Sequence, residues 1–345
     1  MTEAAGGEAA WESAWKVLAP VTDLVTPMAV RVAATLRLTD LIGGDRVPVQ
    51  ELARRSGTNA DALDRMLRHL THQGVYTEPE PGVFAVNEPA ALLASGHPSG
   101  MRARLDLDGF GGRMDLACTG LLHTVRTGEP AWETVFGLSI WSHLASDEHL
   151  GATFDAMMAD GSDYLADAAA GFDWSGVRHV ADVGGGTGVL LAELLRAHPG
   201  LRGTLVDLPD TAGRGRRFLA DRGLDDRCFF AGQSFFDPLP AGADVYVLRR
   251  VIHDWDDGSA VRILRRCAEA AGPRGRIVVI EFHGGTDAAP AMRAEMDLRM
   301  LVINGGRERT LEQYRALADA ASLEVTGTHM TPLGHLVLTC TPAAA

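Results

Sequence analysis

A glycine-rich run, Asp182-Val183-Gly184-Gly185-Gly186-Thr187-Gly188, stands between a short apolar stretch and a helical one that begins Val189-Leu190-Leu191. Glycines at such a junction let a ligand approach the backbone, and the unpaired N–H groups opening the following helix attract polar groups. Asp207 closes the next apolar run about 20 residues on, where a carboxylate can bind both hydroxyls of a ribose. Loop, helix and distal acid together imply a cofactor containing a nucleoside. The dinucleotide pattern is G-x-G-x-x-G/A; here the third glycine comes one residue early and Val189 stands where Gly or Ala is needed, which disfavours a nicotinamide cofactor. Further on, His253 opens the polar run His253-Asp254-Trp255-Asp256-Asp257 just past another apolar run. Beyond the carboxyl end of a strand, a histidine is placed for acid–base work; without that position it reads as a surface or capping residue. The adjacent acids offer metal-ligating oxygens, but consecutive residues on one short turn cannot all face one ion. Asp256-Asp257 ahead of Gly258-Ser259 fits the acidic start of a helix, and no metal is expected.

These residues need a scaffold, and the pattern after Gly176 supplies one. Short β-runs at 177–183, 201–207, 227–230, 244–248 and 276–281 alternate with helical stretches or loops of crossover length, and two more follow at 323–328 and 335–341. The first five predict a Rossmann-like doubly wound parallel sheet of an α/β protein, with its ligand beyond the carboxyl ends of the strands. The last two, joined across 332–334, predict an antiparallel hairpin at the sheet edge. Residues 101–170 read as a helical connector without visible chemistry. Ahead of them, two helices around 49–56 and 60–72, the second capped by Thr58-Asn59, precede a β-hairpin across 79–82, a winged-helix pattern. Such a module can read DNA, and a ligand-sensing regulator is the alternative it raises. Between Glu51 and Glu78, however, Arg54, Arg55, Arg65 and Arg68 are balanced by Glu51, Asp61, Asp64 and Glu78. A neutral helix in a chain of net charge −13 does not suit a phosphate backbone, so a packing or dimerisation role is expected, with no nucleic-acid partner. No basic, apolar leader opens the chain and no apolar run of bilayer length is read in it, so no membrane partner and a cytoplasmic location are expected. Cys118, Cys228, Cys267 and Cys340 are too scattered for a disulfide framework or a zinc site.

Taken together, the glycine loop with Val206-Asp207-Leu208-Pro209, the segment Arg249-Arg250-Val251-Ile252-His253-Asp254-Trp255 and the segment Gly305-Gly306-Arg307-Glu308-Arg309-Thr310 resemble the small-molecule O-methyltransferases that use S-adenosylmethionine. That family includes plant caffeate-type and bacterial natural-product enzymes, and the resemblance spans nearly the whole chain. It implies a dimerisation domain at 1–100, a connector at 101–170 contributing to the acceptor pocket, and a catalytic domain at 171–345. It also implies a homodimer acting on a small aromatic hydroxyl compound. By the same resemblance, Asp182, Gly184 and Gly186 line the cofactor site, Asp207 holds the ribose and Leu208 lies near the adenine. Ser234 and Phe235 occupy the place of an aspartate and an apolar residue on the adenine, so Ser234 is a departure. Arg249 stands where many relatives have lysine. His253 matches the general base, with Glu281 and Glu308 as the acids flanking it. Met292, Met296, Met300 and Asn304 match a segment lining the acceptor pocket, with Trp141, Phe154 and Met158 as further wall. Some relatives hydroxylate or decarboxylate instead, which a missing base would favour; His253 is present.

Methyl transfer from a sulfonium is an in-line displacement, so the protein must align the nucleophile and take its proton. An ordinary imidazole near 6.5 lies about 3.5 pKa units below a phenol, roughly 5 kcal/mol, and far further below an alcohol. The expected acceptor is therefore phenolic, and a carboxylate beside His253 would narrow the gap. Arg293, Arg299, Arg307 and Arg309 lie near the expected pocket, where they could pair with an acceptor carboxylate.

Overall fold

Unbroken apolar runs such as Val-Tyr-Val-Leu and Ile-Val-Val-Ile bury both of their faces, which only a sheet covered on both sides allows. In the computed structural model, which describes residues 2–159, 162–283 and 289–343, they form the centre of a seven-stranded sheet. The chain divides into two compact units, Met1–Arg113 and Met114–Ala345.

The first unit carries a small sheet of β1 (Val47–Pro48), β2 (Thr77–Glu80) and β3 (Val83–Ala85), ordered β1-β3-β2. Helices Val49–Ser56 and Ala60–His72 pack beside it, the second capped by the Asn59 side chain accepting from the Ala62 N–H at 3.0 Å. Leu52, Leu63, Leu67, Leu70, Tyr76 and Phe84 form its core. The four arginines of these helices pair within their own helix, Arg54 and Arg55 with Glu51, Arg65 with Asp61, Arg68 with Asp64. One expectation is corrected: Trp11–Thr35 has a mean hydropathy of 1.4 and is, by length and composition, long and apolar enough to cross a membrane. Pro20 and Pro27 interrupt its apolar helical pattern. It is two helices, Thr2–Thr22 and Val25–Thr35, parted where the Asp23 carboxylate accepts from the Val25 N–H at 2.8 Å. Trp11, Trp15, Leu18, Val21, Leu24 and Val25 are exposed on it.

The second unit holds β4 (His179–Val183), β5 (Arg202–Asp207), β6 (Cys228–Gly232), β7 (Val245–Arg249), β8 (Arg276–Phe282), β9 (Leu323–Met330) and β10 (His335–Pro342). Their order is β6-β5-β4-β7-β8-β10-β9, parallel from β6 to β8. β10 runs antiparallel to both β8 and β9, so the terminal hairpin inserts its second strand against the parallel sheet. Alternate residues feed two cores: Tyr246, Leu248, Ile277 and Val279 on one face, Val245, Val247, Val278 and Ile280 on the other. The order reverses between β4 and β7, and the crevice beyond their carboxyl ends is where a ligand binds in such sheets. Asp182, Asp207, Arg249 and Glu281 all stand at or near those ends.

Candidate active site

The loop leaving β4 turns through Gly184, Gly186 and Gly188 with φ of +67°, +59° and +79°, a left-handed conformation that other residues adopt only with strain. A Cβ on Gly184 would come 2.9 Å from Val251 Cγ2 and 3.3 Å from Phe235 Cε1, whereas one on Gly186 would meet open space. The Gly186 N–H donates to Asp207 Oδ2 at 2.8 Å, and the Leu208 N–H to Asp207 Oδ1 at 2.7 Å. Loop and distal acid are thus one structure, and each carboxylate oxygen keeps a lone pair for a ribose hydroxyl. Burial raises the Asp207 carboxyl to about 6. Asp182 is buried and raised to about 7 by desolvation, with Arg249 opposing, and its Oδ2 has no hydrogen-bond partner. Arg249 Nε is also buried without a partner. A glycine cradle, an acid tied to it, an orphaned carboxylate oxygen and an unpaired cation together suit a nucleoside cofactor that carries both charges.

Phe235 lies over Gly184 with its ring 5.7 Å from Trp255, while Ser234 Oγ accepts from the Phe236 N–H and so closes a local turn. Leu208 is 40% exposed, an apolar side chain left at the rim. Trp141 stacks on Trp255 at 5.6 Å and Phe154 meets Trp141 edge-on at 6.4 Å. Both therefore join the aromatic cluster of Trp255, Phe235 and Phe236. Next to Phe154, Asp155 pairs with Arg214. Met158 is half-buried. Along helix Ala289–Asn304, Met292 is exposed, Met296 half-buried and Met300 buried, so the stripe descends from surface to core.

His253 lies in a turn, Ile252–Asp254, just past β7, and is buried. Its Nδ1–H donates to Glu308 Oε1 at 2.9 Å, which leaves Nε2 as the basic nitrogen, 3.5 Å from Asp254 Oδ1. Glu281 takes a different place from that expected of a ring partner: its Oε1 accepts from the backbone N–H groups of Ile252 and His253 at 2.9 and 3.3 Å. It fixes the turn rather than the tautomer, and its Oε2 has no partner. Burial alone would depress the imidazole pKa, but Asp254, Glu281 and Glu308 outweigh it and push it up to about 9. Desolvation raises Asp254, and raises Glu281 to about 7.

Residues 304–309 grip this turn. The Arg307 N–H donates to the His253 carbonyl at 2.8 Å, and Gly306 packs so closely that a Cβ there would lie 2.2 Å from that carbonyl oxygen. Asn304 does not stand free to meet an acceptor: its Nδ2 donates to Asp254 Oδ1 at 2.9 Å and its Oδ1 accepts from the Gly306 N–H at 3.0 Å. Arg309, 2% exposed, donates to the carbonyls of Ile252 and Trp255 at 2.9 and 2.7 Å and to Asp257 at 2.7 Å. The arginines offered for an acceptor carboxylate are thus otherwise engaged. Arg309 is a structural clamp, Arg299 pairs with Asp115 at 2.8 Å and Glu295 at 3.0 Å, Arg307 faces Asp257 at 3.6 Å and Arg293 touches His283 at 3.2 Å. Sequence reasoning missed Asp254 and Gly306 as parts of the site; adjacency of Asp254 to His253 was the available signal for the first. Among the described residues no group of three His, Cys, Asp or Glu side chains is arranged to hold a metal ion.

Comparison with known proteins adds to this geometry. An O-methyltransferase domain model matches residues 119–324 and an O-methyltransferase dimerisation domain model matches residues 21–96. The chain is 47% identical over 314 residues, 90% of its length and 93% of the relative's, to the 2,7-dihydroxy-5-methyl-1-naphthoate 7-O-methyltransferase of Streptomyces carzinostaticus. It is 45% identical over 306 residues, 87% of its length and 82% of the relative's, to the aclacinomycin 10-hydroxylase of Streptomyces purpurascens. The crystal structure of an O-methyltransferase from neocarzinostatin biosynthesis, in complex with S-adenosyl-L-homocysteine and 1,4-dihydroxy-2-naphthoic acid, superposes with a TM-score of 0.89 at 45% identity. It covers 95% of this chain and 98% of its own.

Proposed function

The chain belongs to the O-methyltransferase family as an S-adenosylmethionine-dependent enzyme, and from that premise we propose that it methylates a phenolic hydroxyl on a fused-ring aromatic acceptor, with His253 as general base. The observation that carries this reading is the buried contact of His253 Nδ1 with Glu308 Oε1 at 2.9 Å. An imidazole raised to about 9 lies about one pKa unit below a phenol, roughly 1.4 kcal/mol, in place of the roughly 5 kcal/mol an ordinary histidine faces. An aliphatic hydroxyl, near water's 15.7, still stands about 7 units away, roughly 9 kcal/mol. The site therefore selects acidic hydroxyls. The naphthoate acceptor of the 47% identical relative supports the ring class.

When bound, S-adenosylmethionine supplies an activated methyl group. Gly184 and Gly186 admit it against the backbone, Asp207 holds its ribose, Phe235 packs on its adenine and Arg249 pairs with its carboxylate. Leu208 closes the rim, Asp182 braces the loop, and Ser234 shapes the turn under Phe235. On the acceptor side, Nε2 of His253 receives the phenolic proton as the oxygen attacks, and Glu308 stabilises the imidazolium. Glu281 holds the turn that carries the base, Asn304 holds Asp254, and Met296 and Met300 pack on the ring with Met292, Trp141, Phe154 and Met158 farther out. The family also includes a hydroxylase at 45% identity; the intact His253 and Glu308 pair favours methyl transfer here. The match to a dimerisation domain and the exposed Leu18, Val21, Leu24 and Val25 support a homodimer.

The test offers the enzyme trideuteromethyl-labelled cofactor with 2-naphthol and with 2-naphthylmethanol, followed by mass spectrometry. Label on the naphthol oxygen alone is expected. Transfer to both alike, or to neither, refutes the proposed selection.

A further inference from the structure

Arg250 follows β7 directly and precedes His253 by three residues, yet its side chain takes no part in the hydrogen bonds that hold the base turn. Its backbone is left-handed, with φ of +53°, a conformation a non-glycine residue holds at a cost. Its Nε is buried without a partner, and among the described residues its guanidinium makes no hydrogen bond or ion pair. Of the other arginines near the acceptor segments, Arg299, Arg307 and Arg309 pair with carboxylates and Arg293 meets the His283 ring. An unpaired, half-buried cation in a strained backbone is costly unless an anion completes it.

Both arginines lie within reach of His335, but the acids they face differ. Arg249 interacts with Asp182, at the start of the glycine loop, and with Glu281, under the base turn. Arg250 interacts with Asp254, the carboxylate held by Asn304 at the end of the acceptor-side helix. The two guanidinium groups also repel one another, which adds to the cost of leaving both without an anion. Resting on the acceptor site proposed above, we propose that Arg250 pairs with a carboxylate on the acceptor's aromatic ring, while Arg249 is left for the carboxylate of the cofactor. The acceptor class becomes the aromatic hydroxy acid, with the phenol at His253 and the carboxylate at Arg250. Arginine suits the task because its planar fork binds a carboxylate at two points.

The test compares 3-hydroxy-2-naphthoate with 2-naphthol, the same ring without the carboxylate. Binding to full-length enzyme loaded with S-adenosylhomocysteine is measured by calorimetry, and methyl transfer separately. Arg250→Asn removes the charge and suits the left-handed backbone, so the fold is retained; Arg250→Lys keeps the charge without the fork. The native enzyme is expected to bind the naphthoate roughly 10- to 100-fold more tightly than the naphthol. Arg250→Asn erases that preference, Arg250→Lys restores part of it, and affinity for S-adenosylhomocysteine stays within about 2-fold. No preference in the native enzyme, including failure to bind either compound, overturns the proposal. So does a preference that survives in Arg250→Asn. Loss of S-adenosylhomocysteine affinity in Arg250→Asn assigns the residue to the cofactor's carboxylate instead. Tight, Arg250-dependent binding of the naphthoate without methyl transfer leaves this inference standing and refutes the catalytic reading alone.

Discussion

Replacing Glu308 with Gln keeps an oxygen opposite His253 Nδ1 and removes the charge 2.9 Å away. Burial favours the neutral ring, while Asp254, Glu281 and Glu308 lift its pKa to about 9. Asp254 and Glu281 stay in the variant, so a fall to the ordinary 6.5 is the limit, in which the base weakens by about 2.5 units, roughly 3.4 kcal/mol. Were the proton fully transferred at the transition state, the neutral enzyme would turn over roughly 300-fold more slowly. Protonation opposes this loss near neutrality. Around pH 7 about 1% of the native imidazole is neutral, against about 75% in the variant. The deficit in kcat/KM is then only about 4-fold near pH 7, and it widens toward roughly 300-fold by about pH 10, where both rings are neutral. The acceptor's own ionisation is common to both enzymes and cancels in their ratio. Methyl transfer measured across that range by mass spectrometry reads the ratio directly. A deficit that stays constant with pH would mean that Glu308 orients the ring without setting its proton affinity, and the argument would fail.

His253→Ala should lower turnover by roughly 10²-fold or more while calorimetry shows unchanged affinity for S-adenosylhomocysteine; undiminished turnover would remove the base from the mechanism. Gly306→Ala places a methyl group 2.2 Å from the His253 carbonyl oxygen and 2.8 Å from Asn304 Oδ1. It should cost about 1–3 kcal/mol in denaturant unfolding and depress kcat more than it raises KM, since the displaced turn carries the base. Arg309→Met leaves the carbonyls of Ile252 and Trp255 without their donor, and a loss of roughly 2–4 kcal/mol is expected from the same measurement. A native midpoint would show that Arg309 is not the clamp its contacts describe.

Much of this molecule is legible in its sequence because a parallel sheet must write its strands as apolar runs. All seven strands of the large sheet, with its terminal hairpin, fall within a few residues of where those runs lie, since no helix period competes with them. The glycine loop and Asp207 are equally legible, because the left-handed turns at Gly184, Gly186 and Gly188 demand a residue without a side chain. What the sequence hides is partnership. Glu281 and Glu308 look interchangeable as flanking acids, and only the path of the chain past β8 puts one on backbone N–H groups and the other on the imidazole. Arg309 reads as one more pocket cation, yet a residue with five donors can be buried when carbonyls surround it. Asn304 reads as pocket lining for a similar reason: its amide is equally suited to an acceptor and to Asp254. Trp141 gives no sign of its stacking on Trp255, because the two belong to segments far apart in the chain.

The grip of residues 304–309 on the turn around His253 bears on how such an enzyme diversifies. The residues proposed for the methyl donor hang from β4, β5, β6 and the end of β7, while the partner of the base, its carbonyl anchor and its clamp all come from this one short stretch. Inheritance can therefore conserve the donor half and rewrite the other half through a handful of codons. A duplicated gene could acquire a new acceptor, or lose its base support altogether, without first surrendering its cofactor. That a relative 45% identical over 306 residues bears the name of a hydroxylase is the kind of divergence this arrangement permits.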